Sequence, residues 1–416
     1  MTHFNCIKPG AFLLPNKDVN LSTWACIACD QYTSAPNYWA DVKKLVGSNP
    51  STYQLIIPEC DLENTATLAP RIHQNMKNYL ENGILEETPT SYILVERNTS
   101  SGMRLGLVCL LDLDRYDFSK GSQSPVRATE ETISARIPPR MAVREHAPME
   151  LGHVLLLIDD PKKTVIEPLH ALCKEREACY DFPLMKNGGH LKGYLINKSE
   201  DFKAIDDALF ALANQPKSEN EPLFAVGDGN HSLATAKTCW ETIASTLNSE
   251  ERKNHPARYA MVELMNLHDD ALCFEPIHRV LYGVEGDMII DEIKAYAKEN
   301  GIELKENSGD IVCIFGDKDF RFNLTSEGDS LSVEGLQRFL DGFILAHPTC
   351  TLDYVHGDDT LVLLATLEKT VGFLLPGMEK ATLFPTVANK GSLPRKTFSL
   401  GHADDKRFYM ECRLLR

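Results

Sequence analysis

The chain carries no GxxxxGK[ST] phosphate loop, no HRD and DFG pair, no HExxH helix and no GxSxG elbow. Those gaps exclude the ready readings of P-loop NTPase, protein kinase, zincin protease and α/β-hydrolase. No apolar run approaches the ~20 residues of a membrane span. Met1–Gly10 lacks a basic stretch followed by an apolar core, so no signal peptide is expected and the expected location is cytoplasmic. Basic charge is short. Lys and Arg total 43 against 59 Asp and Glu, for a net charge of −16. A protein that tracks nucleic acid wants a basic face, so neither nucleic acid nor membrane is expected as a partner. Repeats and low-complexity tracts are absent, and no feature sets an oligomeric state. Cys26 and Cys29 have CxxC spacing, but no second pair completes a zinc site. The twelve cysteines are scattered through apolar runs, which suits reduced thiols better than a disulfide framework.

What is present is ordinary for a soluble enzyme: 43% hydrophobic and 25% charged residues over 416 positions. The pattern alternates strands and helices and predicts a mixed α/β fold. Helices are expected at 37–46, 65–82, 202–213, 231–247, 287–299 and 333–345. Leu68, Ile72, Met76 and Leu80 show the basis, falling on one helical face. Strands are expected at 53–57, 154–158, 191–196, 259–264, 310–315, 320–324 and 371–375. A hairpin is expected from 91–96 and 103–112 around a Ser-Gly turn. A boundary near Tyr282–Glu285 divides a core, 1–284, from a smaller α/β unit, 285–416. The basic tail of that second unit is expected to return to the active site.

The most informative stretch is Phe224 to Lys237, which reads as strand, Gly-Asp-Gly-Asn turn, then helix. A helix N-terminus offers free N–H groups and partial positive charge, which suits phosphate. Gly227, Gly229 and Ser232 form an imperfect dinucleotide fingerprint without its third glycine. Asp228 is an awkward acid for bare phosphate unless a divalent cation bridges them. It and Asn230 also suit plain turn and cap positions. His231 beside Asp228 is a candidate acid, base or ligand.

A second cluster runs from Arg127 to Glu145. Pro139 suits a first helical turn, which sets Arg140 and Arg144 on one face, with Arg136 on the approach. Arginine is the preferred bidentate partner of phosphate, although a solvated face is the alternative reading. Smaller clusters add Asn187-Gly188-Gly189-His190 (a ligand loop or a hairpin turn), Pro276-Ile277-His278-Arg279, and Leu393-Pro394-Arg395-Lys396-Thr397. Asp30 is a candidate second carboxylate or a turn residue.

In this order, these segments resemble a widespread bacterial domain family with a DGHHR signature. Gly227–Ser232 resembles the signature itself. Thr129-Glu130-Glu131-Thr132 resembles its HERT segment, Pro276–Arg279 its PTHR segment and Leu393–Thr397 its PPKST segment. Asp30 sits where the family has PPYD. The variant DGNHS, the Arg-Ile-Pro-Pro-Arg run and Asn187–His190 look like its pyrophosphate-dependent serine kinase branch. The resemblance implies a ParB/sulfiredoxin-like core related to the free serine kinases. It also implies phosphoryl transfer from pyrophosphate to the hydroxyl of L-serine, with Mg²⁺. Asp228 would be the base and metal ligand, with Asp30 or Glu130 as a second carboxylate and His231 donating to phosphate. Gly229, Asn230, Ser232, Arg136, Arg140, Arg144, Arg395, Lys396 and Thr397 would bind phosphate. Glu130, Thr132, Asn187, Gly188, Gly189, His190, His278 and Arg279 would bind substrate. The motif departs from the family at Asn230, where a histidine is expected, and at Ser232, where an arginine is. The HERT-like segment departs at Thr129 and Glu131. Competing readings are an ADP- or ATP-dependent kinase of the same fold, a nicotinamide oxidoreductase, and a non-catalytic nucleotide- or DNA-binding module of ParB type.

Overall fold

The computed structural model describes residues 6–28, 32, 36–215, 220–329 and 331–416. The chain is a mixed α/β protein with two compact units. The first comprises residues 1–273, 387–392 and 403–416; the second comprises 274–386 and 393–402.

A ten-stranded mixed sheet forms the first unit's frame. Its order runs Tyr180–Pro183, His190–Ile196, Tyr92–Thr99, Gly102–Asp112, Tyr259–Asn266, Val154–Ile158, Phe224–Asp228, Val126–Ala128, Tyr116–Asp117, with Ile7–Lys8 beside Gly102–Asp112. The central strands are near-continuous apolar runs because both faces are covered. Leu155, Leu156, Leu157 and Ile158 have no exposed surface. One core packs Leu156, Val226 and Phe224 against Leu233, Ala236 and Trp240 of the helix Asn230–Ala244. The opposite core packs Ile93, Val108 and Met261 with Ile72 and Met76 of the helix Thr65–Glu81.

A small four-stranded sheet in the same unit joins distant parts of the sequence. The C-terminal strand Cys412–Leu414 lies between Leu13–Pro15 and Met149–Leu151. Glu150 in this sheet is buried, and Arg144 and Arg413 lie 2.5 and 2.6 Å from its carboxylate. Burial opposes its charge, but the two guanidinium groups outweigh that and hold the carboxyl below its ordinary value of 4.5. A depressed folded-state pKa gives stability that is present above the unfolded value and lost as pH falls through the folded one. Stability is therefore expected to fall as pH drops below about 4.5, partly through Glu150. Glu150→Gln should flatten that part of a denaturation-midpoint profile against pH.

The second unit is a six-stranded sheet with three helices, Gly286–Asn300, Ser332–Ala346 and Asp358–Ala365. Its strand Phe274–Tyr282 pairs with both Thr370–Leu374 and Thr351–His356. The division therefore falls before Phe274 and not near Tyr282. That strand buries Ile277, Val280 and Leu281 within the second unit. The strand expected at 53–57 is instead a single 3-10 turn, Thr52–Gln54. Ser51 caps it, and Leu55 reaches the core from the turn at 1% exposure without a neighbouring strand to pair with. Among the described residues no helix is long and apolar enough to cross a membrane.

Candidate functional site

Asp228 ends the strand Phe224–Asp228, and the register against Val154–Ile158 shifts between Val226 and Asp228. This bulge bends the strand and re-aims the last side chain, as bulges beside functional sites do. Oδ1 of Asp228 accepts from the Gly229 amide at 2.8 Å. Oδ2 accepts from Lys406 Nζ at 2.9 Å. The lysine side chain is 5% exposed and the aspartate side chain 37%, so the carboxylate faces outward from a buried cation.

Gly229 is the N-cap of the helix Asn230–Ala244 and adopts φ +82°. A Cβ there would meet Val154 Cα at 3.1 Å, in a conformation side chains rarely adopt. Glycine thus lets the chain leave the strand and enter the helix in one step. Asn230 is buried and clasps Thr129. Its Oδ1 accepts from Thr129 N at 3.1 Å, and its Nδ2 donates to Thr129 Oγ1 at 3.2 Å. Thr129 Oγ1 donates to Val226 O at 2.5 Å. These bonds fasten the 129–133 loop to the helix start. His231 Nε2 accepts from Ile133 N at 3.1 Å. Accepting from a backbone N–H requires a bare Nε2, which leaves Nδ1 as the protonated nitrogen of a neutral ring. Glu130 and Thr132 lie on the same loop, half-buried; Thr132 Oγ1 is buried without a hydrogen-bond partner among the described residues.

Ser232 belongs to a different group. Its Oγ lies 3.0 Å from His153 Nε2, and Tyr409 OH lies 3.2 Å from His153 Nδ1. All three line a cavity of about 170 Å³ together with Arg140 and Arg144. Both arginines come from the short helix Ile137–Arg144, which Pro138 and Pro139 start. Arg136, exposed at its N-cap, accepts at its carbonyl from Arg140 Nη1 at 3.1 Å. Arg144 is committed to Glu150.

The remaining expected site residues fall in a hairpin of the first unit and in the second unit. Asn187–His190 is the turn of the hairpin Tyr180–Pro183 and His190–Ile196. Gly189 has φ +84°, and a Cβ would lie 2.1 Å from Asn98 O, so the glycine serves a close strand approach. The Gly188 carbonyl accepts from buried Arg97, and His190 pairs with Asp181 at 3.2 Å.

His278, Arg279, Arg395, Lys396 and Thr397 lie in the second unit. His278 is 1% exposed, with Nε2 2.8 Å from Asp358 and Nδ1 accepting from Leu375 N at 3.1 Å. Arg279 is fully buried. Its guanidinium donates to the carbonyls of Ile277, Lys396 and Arg395 and to Gln337 Oε1. Arg395 pairs with Asp341 at 2.5 Å, and Thr397 Oγ1 donates to Pro394 O at 2.7 Å. These contacts all lie within that unit. Asp30 lies outside the described residues.

Mg²⁺ usually keeps several waters and is held through one or two carboxylates together with substrate phosphates. Among the described residues no group of three or more His, Cys, Asp or Glu could hold a metal. The one carboxylate at the motif, Asp228, is already engaged by Lys406. A Mg²⁺ shared with a phosphate substrate needs only one or two carboxylates from the chain, and Asp228 is the carboxylate that the motif offers.

A model of a family described as protein of unknown function (DUF1015) matches residues 7–343. The chain belongs to that family. No curated protein matches the sequence. Among solved structures the chain is similar to a free serine kinase in complex with AMP, at 10% identity and TM-score 0.41, over 74% of this chain and 91% of that one. It is similar to a conserved hypothetical protein from Pyrococcus furiosus at 11% identity and TM-score 0.38, over 71% and 90%. It is also similar to C-terminally truncated SbnI from Staphylococcus aureus at 11% identity and TM-score 0.39, over 74% and 87%.

In this DUF1015 member, sequence reasoning did not single out Lys406, Arg407, Tyr409 or His153. The first three sit in the tail 403–416, which belongs to the first unit. A buried charge pattern, Lys406-Arg407 followed by Glu411 and Arg413, was the available signal. His153 stands in no motif, and only its contacts mark it.

Proposed function

We propose that the first unit transfers a phosphoryl group from pyrophosphate to the hydroxyl of free L-serine, giving O-phospho-L-serine and orthophosphate. The observation that carries this reading is the Asp228 carboxylate, turned outward by a bulge beside a helix N-terminus and held by a buried lysine. The resemblance of the Gly227–Ser232 segment and its companions to the serine kinase branch supplies the donor and the acceptor.

In this reading Asp228 takes the proton of the serine hydroxyl as its oxygen attacks. The new O–P bond forms, the bridging P–O bond breaks, and orthophosphate leaves with the electron pair. Lys406 holds the carboxylate in place through its 2.9 Å contact with Oδ2. Once the proton has moved to Asp228, the lysine charge is left to the phosphate oxygens. The first-turn amides of the helix Asn230–Ala244 and the guanidinium groups of Arg136 and Arg140 add further positive charge where the transferred group carries negative charge. Asn230 and His231 act by holding the 129–133 loop in place.

The experiment is a donor-by-acceptor panel with the full chain. Pyrophosphate, ADP and ATP are each offered with Mg²⁺ and L-serine, L-threonine, glycerol or glucose, and both orthophosphate and phosphorylated acceptor are measured. Phosphoserine formed from pyrophosphate alone is expected. Phosphoserine from a nucleotide only would replace the donor, and no phosphorylated acceptor from any pair would remove the reading.

A further inference from the structure

The ammonium of Lys406 reaches Asp228 from a stretch with little regular structure of its own. The residues before it form a single 3-10 turn, Ala403–Asp405. One such turn does not fix a long side chain, since its hydrogen-bond geometry is poor. Something outside the turn must set where Lys406 starts.

The hairpin of Tyr92–Thr99 and Gly102–Asp112 supplies it. Arg97 and Arg104 stand opposite each other in its register, and both are buried. Arg97 Nη2 donates to the Asp404 carbonyl at 3.0 Å, and Arg104 Nη1 donates to the Asp405 carbonyl at 3.0 Å. At the tip of the hairpin, Ser100 N and Oγ donate to Asp405 Oδ1 at 3.0 and 3.1 Å. The two carbonyls before Lys406, and one side chain, are thus held by one hairpin.

The arrangement is costly. Nε of each arginine is buried without a hydrogen-bond partner among the described residues. Burial first, and then the neighbouring Arg104, push the Arg97 guanidinium down to about 9, against the opposing influence of Asp405 and Glu263. Two like charges taken out of water together are expensive. Apolar side chains would cover a tail at lower cost, but they would not grip its carbonyls. Such departures from the cheapest packing concentrate where placement serves function.

We infer that Arg97 and Arg104 are positioning residues for Lys406, fixing the carbonyls of residues 404 and 405 and so the point from which the ammonium reaches Asp228. The inference deepens the proposed reaction and rests on that reading for its effect on rate. A misplacement of about 1 Å in such a group costs about 10²-fold.

Accessibility and turnover test it separately. The full chain is pulsed with acetic anhydride, and acetylation of each lysine is read by mass spectrometry. Lys406 is expected to acetylate at least tenfold faster in Arg104→Met than in wild type. Lys237, half-buried in the same unit and paired with Glu241, reports general loosening and should keep its wild-type rate. Arg104→Lys, which keeps a donor for the Asp405 carbonyl, should restore most of the protection. In phosphoserine formation, Arg104→Met and Lys406→Met should each lower kcat at least tenfold. The double variant should be no slower than Lys406→Met, because the arginine acts through the lysine. Should Arg104→Met fail to fold by circular dichroism, Ser100→Ala takes its place, with Lys406 acetylating at least threefold faster. Wild-type acetylation of Lys406 in the folded variant, equal acceleration at Lys237, or a double variant a further tenfold slower than Lys406→Met would overturn the inference. Acetylation needs no turnover. A wild-type chain that makes no phosphoserine therefore removes the reaction, while the labelling of Lys406 still decides how it is placed.

Discussion

Asp228→Asn should lower the rate of phosphoserine formation by about 10²–10⁴-fold, the range a positioned general base contributes. The amide is nearly the same shape, and its Oδ1 can still accept from Lys406 or from the Gly229 amide. What it loses is the capacity to take a proton and the charge that answers the buried ammonium. The ion pair is 2.9 Å long, with its aspartate side chain 37% exposed. Weakening a charged hydrogen bond of this kind costs about 1.5–3 kcal/mol, so the variant should fold cooperatively with a lowered urea midpoint. A rate within threefold of wild type, in a variant shown to be folded, would remove Asp228 from the chemistry.

The second large effect is structural and falls on the tail. Arg407→Ala should destabilise the first unit by about 3–5 kcal/mol, the cost of breaking a buried ion pair by removing one partner. Arg407 is 5% exposed and lies 2.6 Å from Glu263 and 2.8 Å from Glu411, which are themselves 4% and 2% exposed. It also donates to the Gly152 carbonyl. Burial opposes the guanidinium charge, but Glu411 and Glu263 outweigh it and push the arginine's pKa above its ordinary value. Alanine would leave two carboxylates buried without their guanidinium partner, with Glu411 still accepting from Tyr180 OH at 2.5 Å. Because Lys406 is its chain neighbour, the variant should also lose activity, through loss of the ammonium at Asp228. Equilibrium urea unfolding reads the first effect; a change below about 1 kcal/mol would contradict the network's role.

The parts of this molecule that were legible in its sequence are those set by local periodicity. The helix expected at 65–82 is present as Thr65–Glu81, because its apolar side chains repeat on one face. The 91–112 hairpin is present as Tyr92–Thr99 and Gly102–Asp112, because a Ser-Gly turn separates two strand-forming runs. The strand–turn–helix at Asp228 was equally legible, since the glycines and the apolar run state it within fourteen residues. Local pattern failed where tertiary context decides. Residues 53–57 are apolar enough for a strand but find no strand partner. His278 and Arg279 look like pocket cations, yet their donors and acceptors are used by backbone groups that lie far along the chain. The Lys406 to Asp228 contact spans 178 positions and the His153 to Ser232 contact 79. No spacing rule reaches across such gaps. The fold brings these groups together through the small sheet that receives the C-terminal strand.

The central claim is that Asp228 serves phosphoryl transfer from pyrophosphate to serine. Phosphorus NMR of the full chain with pyrophosphate, Mg²⁺ and L-serine follows all three species in one tube. The pyrophosphate signal is expected to give way to orthophosphate and phosphoserine in equal amounts, with wild type and not with Asp228→Asn. Pyrophosphate left intact by the wild type, or hydrolysed to orthophosphate with no phosphoserine signal, would contradict it.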